Sequence, residues 1–60
     1  MNSKQVIRTL QQAGWAIDRT GRHCIMKKGN KIVPIPTHGS KDIPIGTLKS
    51  IAKMTGVKLP

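Results

Sequence analysis

Sixty residues allow one domain, 1–60, and a chain that short buries only about 60% of the surface its unfolded form exposes, so its stability is marginal. Eleven Lys and Arg stand against only Asp18 and Asp42, a formal charge of +9, and Trp15 is the sole aromatic residue. Two isolated aspartates exclude a carboxylate-pair enzyme, and the excess of cations points to a polyanionic partner, nucleic acid or an acidic protein.

Ser3 is the expected N-cap of a first helix, in which Val6, Ile7, Leu10 and Ala13 recur at helical spacing as one narrow apolar stripe. Gly14 suits the left-handed position that ends a helix, and Trp15 can fold back onto the last turn. From Trp15 the period shifts toward two, through Ile17 and Arg19. Thr20-Gly21 reads as a turn. A second strand follows over 22–28, then a two-residue hairpin at Gly29-Asn30, where both positions tolerate positive φ. A third strand covers 31–35; Pro34 cannot donate to a ladder and places that strand at an edge. Residues 36–42 form a loop by composition. Pro44 opens or just precedes a second helix whose buried face is Leu48, Ile51, Ala52 and Thr55, with Lys49 and Lys53 on another face and Gly56 at its end. The expected fold is α+β, in the order α-β-β-β-α, with two helices covering one face of a three-stranded antiparallel sheet.

No stretch approaches the ~20 apolar residues of a membrane span. The first residues lack the apolar run of a signal peptide. The positive charges are spread along the chain rather than set beside an apolar helix, which argues against a membrane surface. Cys24 is alone, which fits a reducing compartment, and the expectation is a soluble, cytoplasmic chain.

One Cys and two His without metal-ligand spacing make a poor zinc site, and a Mg²⁺-dependent nuclease would want clustered acids. RNA cleavage is within reach of what remains. RNA supplies its own nucleophile, the 2′-hydroxyl, and a histidine can take its proton or protonate the leaving 5′-oxygen near neutral pH. Arg and Lys can hold the phosphate as charge grows on it, so the scheme needs no metal and no cofactor. His23, in the run "GRHC", is the leading catalytic residue, although Arg22 and His23 point to opposite faces of a regular strand. The bland alternatives are a surface His23, a turn histidine at His38, a small buried hydrophobe at Cys24 and a core residue at Trp15. Cys24 and Met26 lie on one side of the second strand, and His23, Ile25 and Lys27 on the other. Both sides carry apolar residues, so the pattern leaves the buried face open.

Three blocks carry a family resemblance: "AGW" at 13–15, "GRHCIM" at 21–26, and "VPIPTHGSKDIPIGTLKSIAKMTGV" at 33–57. In this order and spacing the chain resembles, nearly end to end, the HicA family of toxin mRNA interferases from bacterial and phage toxin–antitoxin modules. The resemblance implies a fold like a double-stranded-RNA-binding domain, endoribonuclease activity on mRNA, and inhibition by a HicB-type antitoxin. The family's catalytic histidine falls on His23, its loop histidine on His38 and its turn glycine on Gly21. Arg22 stands where a serine is usual, and Cys24 where a second histidine is common. In this reading Arg22, Lys27 and Lys28 neutralise nearby phosphates, and Lys41, Lys49 and Lys53, with His38, extend the RNA-binding surface. A non-catalytic RNA-binding module would share the fold and the charge. An architectural DNA binder fits less well, for want of helix-turn-helix spacing or an apolar wedge flanked by arginines.

Overall fold

The computed structural model describes residues 1–37 and 41–59. The elements are α1 (Ser3–Gln12), β1 (Ala16–Arg19), β2 (His23–Lys28), β3 (Lys31–Pro36) and α2 (Ile45–Thr55), the α-β-β-β-α order expected. The sheet is antiparallel, with order β1-β2-β3, so β2 is central and β3 is an edge, as Pro34 requires.

Helix α1 starts one residue earlier than the sequence suggests. Asn2 is the cap: its Oδ1 accepts the Gln5 backbone N–H at 2.9 Å, and Gln5 Oε1 accepts the Asn2 N–H at 2.9 Å. This reciprocal box satisfies two otherwise orphaned donors. Ser3, expected as the cap, is instead the first helical residue and is buried. At the other end, Trp15 N–H reaches Leu10 O at 2.9 Å and Gly14 N–H reaches Gln11 O at 3.1 Å, the paired bonds of a Schellman motif. Gly14 takes the left-handed φ of 97° that the motif needs. Lys28 Nζ donates to Ala13 O at 2.8 Å, and a Cβ on Gly14 would meet Lys28 Cε at 3.3 Å. The lysine therefore lies across the glycine and caps the negative end of the helix.

The β2–β3 turn places only Gly29 at positive φ, 60°; Asn30 is not left-handed. A glycine with positive φ at the first central position is the requirement of a II′-type turn, so one residue suffices where two seemed available. Lys28 and Lys31 flank this turn and close the ladder, and Met26–Val33 and Cys24–Ile35 follow at every second position. Pro34 and Pro36 fall at the alternate positions, whose main chain faces the free edge. Their missing N–H groups cost no ladder bond, and β3 runs one residue further than expected.

In β1, Ala16 pairs with Lys27 and Ile17 with Met26, and then the register breaks. A continuous ladder would set Asp18 opposite Ile25 and Arg19 opposite Cys24. The irregularity between Ile17 and Arg19 puts Arg19 opposite Ile25 instead. One inserted residue thus sets Arg19, rather than Asp18, opposite Ile25.

The core decides which face that is. Val6 and Leu10 of α1, Leu48 and Ile51 of α2, and Cys24, Met26, Val33 and Ile35 of the sheet are buried together, with Trp15 and Ile43 closing the ends. Both helices cover the Cys24/Met26 side, and Gly56, in the left-handed region at φ 71°, ends α2. The chain entering α2 is tied to the N-terminus, with Ile43 N–H donating to Met1 O at 2.7 Å. Met26 is fully buried on the central strand, so Met26→Ala should cost about 2–5 kcal/mol, most of the stability of so small a domain. Denaturant unfolding with loss of the native baseline is the expected readout.

Candidate active site and nucleic-acid interface

With Cys24 and Met26 buried, His23, Ile25 and Lys27 must face the other way, onto the sheet surface that carries no helix. His23 is the first residue of β2 and is exposed; among the described residues no hydrogen bond holds its ring. It lies directly opposite Pro36. Lys27, exposed on the same face, follows four residues on, about 13 Å along the strand. Arg22 is exposed just before the strand, and its carbonyl accepts the Thr37 hydroxyl at 2.8 Å, which ties the entrance of β2 to the exit of β3. Gly21 sits in the bend before it, outside the left-handed region, and a Cβ there would meet nothing within 4 Å.

Arg19 joins this group through the break in β1, opposite Ile25 and exposed. Sequence reasoning missed it because an unbroken alternation puts it on the buried face. Asp18 Oδ2 lies 3.8 Å from Arg19 Nε, and Asp42 Oδ1 lies 3.8 Å from the N-terminal ammonium. Both aspartates are thereby engaged, and among the described residues no carboxylate pairs with Arg22, His23 or Lys27.

The other cations are placed elsewhere. Lys28 has the parity of Met26, and its ammonium is held at the end of α1, so it does not stand beside His23. Lys49 and Lys53 are exposed on α2, in the helix layer. Lys41 is exposed shortly before that helix, and His38 lies outside the described residues. A groove of about 300 Å³ lined by Asn2, Lys4, Gln5, Arg8 and Thr9 also belongs to the helix layer.

Cys24 is buried, and that burial pushes its thiol above the ordinary thiol range. It stays neutral near pH 7 and points away from His23, so it carries no proton-transfer role here. Trp15 is 3% exposed, a core residue and not a stacking platform.

The comparisons with known proteins bear on this arrangement. The family model described as "HicA toxin of bacterial toxin-antitoxin" matches residues 3–57. The chain belongs to the HicA toxin family. It is thus the toxin of a toxin–antitoxin module, and an antitoxin partner comes with that assignment. Neither the curated proteins nor the solved structures returned a match. Among the described residues no helix of this HicA-family chain is long and apolar enough to cross a membrane.

Two predictions follow from the split of Lys27 and Lys28 and from the state of Cys24. Lys28→Met should lower stability by roughly 0.3–1 kcal/mol through loss of the helix cap, while Lys27→Met leaves the melting curve unchanged and weakens binding to a polyanion, read as a shallower salt dependence. The raised Cys24 pKa means the unfolded chain loses that proton first. The thiol's contribution is constant at lower pH and turns against folding as pH rises past about 8.5. Labelling by a thiol reagent at pH 8 should be at least about tenfold slower in the native protein than in denaturant, by the low reactivity of a buried neutral thiol.

Proposed function

We propose that this HicA-family toxin is a metal-independent endoribonuclease that cuts mRNA in the cytoplasm, with His23 as its general acid or base. The observation that carries the reading is the position of His23: an exposed imidazole on the helix-free sheet face, next in sequence to the exposed Arg22, on the face that also carries Arg19 and Lys27 further along the strands, with no carboxylate paired to it among the described residues. A bare cationic face attracts the phosphate backbone, and a histidine standing on it meets the backbone rather than the interior of the protein.

The 2′-oxygen of the RNA attacks the adjacent phosphorus as a base removes its proton. The P–O5′ bond breaks as an acid protonates the leaving oxygen. The products are a 2′,3′-cyclic phosphate and a 5′-hydroxyl. His23 performs one of these transfers, and His38, a lysine or water performs the other. Arg22, adjacent to His23, neutralises the charge that builds on the phosphoryl oxygens, while Arg19 and Lys27 hold neighbouring phosphates of the strand. Lys41, Lys49 and Lys53, in and before α2, take phosphates of more distant nucleotides, while Lys28 serves the fold. A HicB-type antitoxin would block the site by laying acidic groups over His23 and its neighbouring cations, with fast, salt-sensitive association.

The test is cleavage of a defined RNA in excess chelator by the wild type and by His23→Ala. The variant should keep its melting temperature, because the ring is exposed, and lose at least about 100-fold in cleavage rate, the usual worth of a general acid or base. Fragments from the wild type should carry 5′-hydroxyl ends. Salt-dependent binding by the wild type without any fragments would identify a non-catalytic RNA-binding module instead.

A further inference from the structure

The helix-free face has a second column beside the one that carries His23. Ile32, Pro34 and Pro36 of β3 lie directly opposite Lys27, Ile25 and His23 of β2. These are the positions at which no ladder bonds are exchanged, where facing side chains approach most closely. Ile32 is 56% exposed, Pro34 is exposed, and Ile25 and Pro36 are half-buried. Among the described residues, the face therefore pairs an apolar rail with a cationic row: Ile32 beside Lys27, and Ile25 between Pro34 and Arg19.

We propose that this rail, Ile25, Ile32, Pro34 and Pro36, receives the base faces of a single-stranded RNA whose phosphates lie on the neighbouring cations, and so makes the site selective for unpaired strands. The inference rests on the RNA-cleaving reading of the same face. Three observations carry it. The chain has no Phe or Tyr and its single Trp is buried, so bases on this face meet aliphatic and proline surface beside the His23 ring and the Arg19 guanidinium. A duplex keeps its base faces stacked inside and offers phosphates and 2′-hydroxyls, which would leave the rail against water. A splayed single strand offers both partners at once, an anionic backbone for the cations and apolar base faces for the rail beside them. An apolar protein surface would match the rail but would strip water from Lys27, which no carboxylate pairs among the described residues.

Binding to a 2′-O-methyl RNA strand, which lacks the nucleophile and cannot be cut by this route, isolates the rail from the chemistry. The wild type should bind that strand at least about tenfold more tightly than a blunt duplex of the same sequence. Ile32→Ser should weaken single-strand binding about threefold to tenfold and duplex binding less than twofold, with the salt dependence unchanged because no phosphate contact is lost. Ile32→Trp should tighten single-strand binding. Ile32 is exposed on an edge strand, so both variants should melt like the wild type. Equal or tighter duplex binding overturns the proposal. So does unchanged single-strand affinity in both Ile32 variants, which would assign the rail to a protein partner. A strand that is cut in the His23 assay yet indifferent to Ile32 sinks the rail alone. A strand held by Ile32 yet never cut sinks the catalytic reading alone.

Discussion

Burial of one face of β2 is the constraint from which the rest of this molecule follows. Cys24 and Met26 sit under the two helices with Val33 and Ile35, and strand geometry then obliges His23, Ile25 and Lys27 to face solvent. The choice is energetic. Met26, Val33 and Ile35 are fully buried, and each apolar side chain removed from water contributes about 1.5–3 kcal/mol. The opposite choice would bury His23 and Lys27, and an unpaired buried ammonium costs far more than Ile25 could return. The same strand thus holds the fold together with one set of side chains and displays His23 and Lys27 with the other.

The features around that strand protect this division. The Schellman turn at Gly14 folds Trp15 back into the core, and Lys28 seals the end of α1 from the helix side. The break in β1 keeps Arg19 on the open face and Asp18 out of the position opposite Ile25. The prolines of β3 discourage further strand pairing at that edge. The result, on a chain of the HicA toxin family, is a helix-free face that displays His23, Lys27 and Arg19.

Much of this was legible in the residues. The helical stripe of Val6 and Leu10, the turn glycine at 29, the edge proline at 34 and the helix-ending Gly56 each act through local chemistry, and each lies where the sequence places it. The misreadings were local too. Ser3 and Asn2 are both good caps, and the reciprocal bond with Gln5 selects Asn2. Lys28 looks like one more phosphate contact until its parity and the Ala13 carbonyl are seen together. Arg19 could not be assigned to the site, because a one-residue register break leaves no mark in a four-residue strand.

The order of elements, the cationic character of the chain and the family follow from the residues alone, since these depend on periodicity, composition and the order of short motifs. The apolar pattern did not show which face of β2 is buried, because Ile25 is as apolar as Met26 and each side also carries a lysine, Lys27 on one and Lys28 on the other. Only the packing of α1 and α2 against β3 broke that symmetry, by offering Leu10, Leu48 and Ile51 to one side and water to the other. That three-dimensional decision put the imidazole of His23 in the open.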